Sequence, residues 1–216
     1  MVLAQLQSLL ARLYDVPAEH AVADFLITDR ARTTAQGDAA DGITDEQVLI
    51  DERDDSLHIG VYISEDVLGR LAGDNPMEAL RDSNLSDYCT ALEGVSHFHY
   101  LTWRARHAEP VSLLELELQA EVDKYAAATW LYTVQRAGRF PHTLHERLFH
   151  DVRFCHGLDA ASLARYREAN RGAARFCRQL DERFLRCRRA QPEHWLAELR
   201  KFYRLSHAQK LRRAVA

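Results

Sequence analysis

Residues 111–125, Val111-Ser112-Leu113-Leu114-Glu115-Leu116-Glu117-Leu118-Gln119-Ala120-Glu121-Val122-Asp123-Lys124-Tyr125, place charges among leucines at helical spacing. At about 100° per residue, Leu113 aligns with Leu131 and Leu114 with Tyr132, along two separate lines. Glu117, Glu121, Lys124 and Gln135 fall between those lines. A polar stripe with apolar residues on both sides is not an ordinary solvent face. Carboxylates are costly to bury unless they are paired, protonated or metal-bound. The stripe is therefore either an ion network or a site. Ser112 with Glu115 three residues later reads as the capping box that opens this helix.

Helical periodicity continues on both sides. From about Leu85 onward the pattern predicts long helices over 85–106, 112–137, 160–188 and 193–213, and a shorter one over 142–152. Pro110, Gly138 to Pro141, Gly157 and Gln191-Pro192 punctuate them. Asp159 is placed as an N-cap, and Phe176, Leu180 and Phe184 recur at i, i+4, i+8 as a core stripe. Upstream, Leu3, Leu6, Leu10 and Leu13 give an amphipathic helix over 3–14, and residues 21–28 suit a strand or a helix end. Residues 29–45 form a loop whose Asp38, Asp41 and Asp45, with Glu46 beside them, do not fit the EF-hand spacing. Val48-Leu49-Ile50 and Leu57 to Ile63 flank Arg53-Asp54-Asp55-Ser56 as a β-hairpin. Such a hairpin must pack on helices or gain a third strand. Ser64 caps a short helix through about Leu71, and Asn75-Pro76 opens another turn.

The fold class that follows is mostly α (α+β). It is an antiparallel helical bundle of four to five long helices with a small N-terminal β-hairpin portion. Residues 1–75 form the small α/β portion and 76–216 the bundle, packed as one unit.

The 216 residues are 47% hydrophobic and 28% charged, ample for a core. No apolar run reaches the ~20 residues that a membrane span needs. The N-terminus lacks the basic region and cleavage site of a signal peptide. The four cysteines, Cys89, Cys155, Cys177 and Cys187, show no CxxC spacing and read as reduced core residues of a cytoplasmic protein. The net charge of −4 conceals a polarity. Residues 161–216 hold 15 Arg and Lys against 5 Asp and Glu, so the rest of the chain must carry −14. Such a basic end either docks on the acidic part of the same molecule or meets nucleic acid. No aromatic platform for single strands is interleaved with the arginines.

Candidate chemistry lies on three helices. On the 85–106 helix, His99 shares the apolar side with Leu92, Val95 and Trp103, while Glu93, His97 and Arg104 lie at its edge. Glu93/His97, Glu117/Glu121 and Glu146/His150 are each four residues apart, so each pair shares a helix face. Carboxylate and imidazole groups on facing helices are how bundle metal centres are built, although the Glu-x-x-His motif is absent. Glu93, His97, Glu117, Glu121, Glu146 and His150 are therefore the candidate ligands of a divalent metal ion. Without a metal, Glu93 or Glu121 with His97 would form an acid–base pair. In the structural alternative no cofactor is needed. Glu117, Glu121 and Lys124 pair with Arg104, His97 or C-terminal arginines, and His99 is a hydrogen-bonded core histidine. His142, His145 and His150, with Asp151, Cys155 and His156 nearby, lack zinc-ligand spacing and read as a solvent-facing helix start.

Walker A, Gly-x-Gly-x-x-Gly, Gly-x-Ser-x-Gly and His-Glu-x-x-His motifs are all missing. These observations lead to the expectation of a cytoplasmic helical interaction or accessory protein, working with a protein partner or as a homo-oligomer. The alternatives are a metal-dependent helical-bundle enzyme and a nucleic-acid-binding accessory protein that uses the basic C-terminal helices.

Overall fold

A computed structural model describes residues 2–29, 44–53, 56–152, 158–186 and 190–215. Among them the chain forms helix α1 (Val2–Tyr14), a 3-10 turn (Val22–Phe25) and strands β1 (Leu26–Ile27), β2 (Glu46–Arg53) and β3 (Ser56–Ile63). Helices α2 (Glu65–Gly73), α3 (Leu85–Arg106), α4 (Leu113–Gln135), α5 (Leu144–Phe149) and α6 (Ala160–Leu180) follow. A π turn (Asp181–Leu185) then leads to α7 (Pro192–Tyr203) and α8 (His207–Val215). The fold is mostly α with a small sheet, in agreement with the sequence pattern.

The helix read from residues 111–125 is the central one. α4 packs against both α3 and α6, and residues on every side of it are buried from Glu115 to Tyr132. Leucines on both flanks of a polar stripe require this, because each flank needs its own neighbour. Leu113 is a correction: at 55% exposure it precedes the packed part of the helix. The Ser112 hydroxyl accepts from the Glu115 amide at 3.2 Å. The reciprocal half of the capping box is not made, because the Glu115 carboxylate turns inward to Tyr100 and Arg104.

The amphipathic N-terminal helix is absorbed by the chain itself. Leu3, Leu6, Leu10 and Leu13 are all buried, and α1 packs against α3 and α7. Residues 21–28 divide into the 3-10 turn and a two-residue strand. In the sheet, β3 lies between β1, its parallel neighbour, and β2, its antiparallel one. The register runs from Glu46 opposite Ile63 to Arg53 opposite Ser56. The hairpin thus gains both a third strand and a helical support, since β2 and β3 pack on α3. The Ser64 hydroxyl accepts from Val67 N, and Asp159 caps α6 through the amides of Ala161 and Ser162. Phe176, Leu180 and Phe184 are buried as a stripe.

Three helix boundaries differ from the sequence pattern. The 142–152 helix contracts to α5. The 160–188 helix ends at Leu180 and continues as the π turn. The 193–213 helix breaks into α7 and α8. The last break has a local cause: the Gln209 side-chain oxygen accepts from the backbone N–H of Ser206 at 3.0 Å and from its hydroxyl at 3.1 Å. Ser206-x-x-Gln209 is a capping-box pattern that starts a new helix inside an otherwise continuous one. The new direction carries Lys210 into the core, where it donates to the Gln119 side chain.

Much of the basic C-terminal charge is used inside the molecule. Arg200 donates to the carbonyls of Leu13 and Arg12, and Arg204 to that of Asp15, at the end of α1. Arg213 lies 3.3 Å from Glu198. No helix among the described residues is long and apolar enough to cross a membrane. Cys89 and Cys177 are free thiols, half-buried and buried; Cys155 and Cys187 lie outside the described residues, as do Asp38, Asp41 and His156.

Candidate metal centre

α3 and α4 pack side by side, and their i, i+4 pairs meet. One donor atom each from Glu93, His97 and Glu117 lie within 4.8 Å of one another. His97 is the middle of the group. Its Nε2 stands 3.6 Å from Glu117 Oε2, and its Nδ1 stands 3.5 Å from Glu46 Oε1. Glu46 comes from the first position of β2, where the sheet lies on α3. Gly94 makes that approach feasible: a Cβ there would sit 3.1 Å from Glu46 Cγ, Glu46 Oε1 and Val61 Cγ1. From α6, Arg165 Nε reaches to 4.0 Å from Glu117 Oε1. On the other flank, Lys124 Nζ donates to Glu93 Oε2 at 2.9 Å and to Glu121 Oε1 at 2.7 Å.

The centre is buried but poorly satisfied. The His97 side chain is 6% exposed and that of Glu117 8%. Distances of 3.5–3.6 Å are too long for hydrogen bonds. His97 Nε2, Glu46 Oε1 and Arg165 Nε accordingly have no hydrogen-bond partner among the described residues. Buried polar atoms without partners are rare in folded proteins, and here three belong to one cluster.

Its electrostatics follow from burial and charge count. Four carboxylates face three cations, His97, Lys124 and Arg165, when all are ionised, leaving one negative charge in excess. Burial pushes the Glu46 carboxyl up to about 7; the His97 imidazole opposes the shift, and Glu93 and Glu117 add to it. Burial also raises Glu121 against the pull of Lys124. Burial works against the charged form of Glu93 as well, but Lys124 and His97 hold it below the usual carboxylate range. Burial alone would lower His97, yet the Glu117 and Glu46 carboxylates hold it well above its ordinary value.

Of the sequence-derived candidates, Glu93, His97 and Glu117 converge, and Glu121 and Lys124 form the adjoining edge. Glu146 and His150 are not brought to this group. They lie on and just after α5, in a separate groove that also holds His142, Arg178 and Glu182, and His150 Nε2 contacts Arg178 at 3.2 Å. His145 departs from the solvent-facing expectation, being buried with Nε2 2.7 Å from the Ala174 carbonyl. Arg104 does not pair with the stripe. It projects from α3 against another face of α4, where it binds Glu115, the Tyr100 hydroxyl and the Leu205 carbonyl. His99 is buried, but its Nε2 has no partner among the described residues, and burial lowers its pKa to about 4. Gln135 leaves the stripe to bind Leu80 N and the Pro76 carbonyl.

Sequence reasoning missed Glu46, Arg165 and the deepest polar seam of α4. In that seam Asp123 accepts from Tyr14, Ser96 and Gln119. Its members Glu115, Gln119 and Asp123 recur at i, i+4, i+8, a signal present in the opening stretch. A groove of about 400 Å³ reaches the Lys124 edge of the centre; its walls include Leu85, Cys89, Glu121, Arg147 and Asp151.

No protein-family model matches the chain, and comparison with curated proteins and with solved structures likewise gives no match.

Proposed function

We propose that the protein is a metal-dependent enzyme of helical-bundle type, in which Glu93, His97 and Glu117 hold one divalent ion and Glu46, facing the other imidazole nitrogen, orients His97. The observation that carries this reading is the unpartnered Nε2 of His97, more than nine-tenths buried and aimed at Glu117 within a ring of acids. Donor atoms each about 2.1 Å from an ion stand at most about 4.2 Å apart. The 3.6 Å between His97 Nε2 and Glu117 Oε2 meets that limit. One imidazole with several carboxylates suits Mn(II), Fe(II) or Zn(II).

A divalent ion bound beside a neutral His97 balances the charge: the ion, Lys124 and Arg165 together offset the four carboxylates. An ion network without metal satisfies Lys124 but leaves His97 Nε2 and Glu46 Oε1, though ion-paired, without a hydrogen bond. A bound ion would polarise a water or substrate oxygen, and the groove beside Glu121 gives a small molecule an approach. The features that favoured an interaction protein, the N-terminal apolar stripe and the basic end, are in large part engaged within the chain.

The test is elemental analysis of untagged protein after incubation with Mn(II), Fe(II) or Zn(II) and removal of free ion. One equivalent is expected for the wild type, and below about a tenth of that for His97→Ala and Glu117→Ala, with circular dichroism unchanged. A wild-type protein that retains none of the three ions would overturn the proposal.

A further inference from the structure

The two ligand pairs, Glu93/His97 and Glu117/Glu121, are each one helical turn long, and they face each other across the α3–α4 contact. They define two levels. At one level His97 and Glu117 meet, with Glu46 beside them. At the other, Glu93 and Glu121 converge on a single point, and that point is Lys124 Nζ, 2.9 and 2.7 Å away. Glu93 belongs to both levels: one of its oxygens joins the His97–Glu117 trio, and its Oε2 accepts from Lys124. A carboxylate shared in this way between two neighbouring positive centres is how paired metal ions are bridged.

We propose that the Lys124 ammonium fills the second cation position of a carboxylate-bridged centre, so that this site takes one divalent ion where its ligands could hold two. The proposal rests on the metal reading above. The charge count agrees with it. One divalent ion with Lys124 and Arg165 neutralises the four acids, whereas a second ion beside Lys124 would leave an excess of two positive charges in a buried cluster. Without the ammonium, one ion leaves a net negative charge, and two ions with one bridging hydroxide restore neutrality. The geometry permits the exchange. Metal–oxygen distances are about 0.7 Å shorter than these N–O distances, an adjustment that two half-buried glutamate side chains can make. The groove that Lys124 lines with Glu121 and Cys89 gives a hydrated ion a way in. Lys124 therefore sets the number of ions and, with it, the chemistry. The single-ion centre polarises one oxygen beside a fixed ammonium, and the two-metal clamp on attacking and leaving oxygens is not available to it.

The experiment is equilibrium dialysis of full-length protein against Mn(II), with the metal-to-protein ratio read by elemental analysis and the spin state by electron paramagnetic resonance. Wild type is expected to hold one ion with an isolated Mn(II) signal. Lys124→Ala is expected to hold two with an exchange-coupled signal, and Lys124→Arg to hold one. If the alanine variant does not fold, Lys124→Gln, which keeps most of the stem but not the charge, is expected to hold two. A folded Lys124→Ala or Lys124→Gln variant that holds one ion or none would overturn the inference, as would a wild-type protein that holds two. A wild-type protein that holds no metal would instead overturn the underlying metal reading.

Discussion

Gly94 determines whether Glu46 can reach His97. A glycine inside a helix costs up to about 1 kcal/mol relative to alanine, so its place in the middle of α3 needs a reason. The reason is the sheet: a methyl group at Gly94 would press on Glu46 and Val61 at 3.1 Å. Gly94→Ala should therefore displace Glu46 while returning some helix stability. Mn(II) affinity is expected to fall about tenfold, a loss of about 1.4 kcal/mol, with unfolding free energy within about 1 kcal/mol of wild type. Calorimetric titration checks the first value and urea unfolding the second; unchanged affinity would show that Glu46 does not orient His97 for the ion. The Glu93/His97 and Glu117/Glu121 pairs were legible in the sequence because i, i+4 adjacency is a local property of a helix. Glu46 and Arg165 were not, because their proximity depends on where the sheet and α6 dock.

At the scale of elements, three of the helix starts that sequence located well carry a capping residue: Ser64, Ser112 and Asp159 each accept backbone N–H bonds there. One boundary it missed, between α7 and α8, is also a capping pattern, Ser206 with Gln209, hidden within continuing helical periodicity. The basic charge of α7 likewise acquires meaning only from its neighbour. Arg200 places Nε 2.9 Å from the Leu13 carbonyl and Nη2 3.1 Å from that of Arg12, so a fixed cation caps the negative end of α1. Arg200→Ala is expected to destabilise the protein by about 1–2 kcal/mol, the size of a charge-assisted cap in a half-buried place. Arg200→Lys should recover less than half of this, because one ammonium cannot reproduce the planar two-point geometry. Urea unfolding of the three proteins decides it; full rescue by lysine would show that charge alone matters.

For the whole molecule, the consequence of placing so many acids in the interior is a stability that depends on pH. Burial pushes Asp123 up to about 6, Asp181 up to about 7 and Glu46 up to about 7. Each of these groups holds its proton more tightly in the folded state than in the unfolded chain. Between about pH 4 and 7 these acids bind more protons in the folded state; the buried imidazoles of His99 and His145, depressed by burial, offset part of this, and on balance stability falls as pH rises through that window. The lowered acids, Glu93, Glu198 and Asp159, act only below the ordinary carboxylate range and do not cancel the slope. Asp181 is the cleanest place to test this, because it lies outside the candidate metal centre. It accepts from the Tyr125 hydroxyl through Oδ2, while its buried Oδ1 has no partner among the described residues. Asp181→Asn keeps an acceptor for Tyr125 and removes the titration. Wild-type unfolding free energy, measured in urea in the absence of divalent metal, is expected to decline from about pH 5 to about pH 7. The Asp181→Asn protein should show a shallower decline, by up to about 1.4 kcal/mol per pH unit where Asp181 titrates. Equal slopes for the two proteins would mean that Asp181 stays ionised in the folded state.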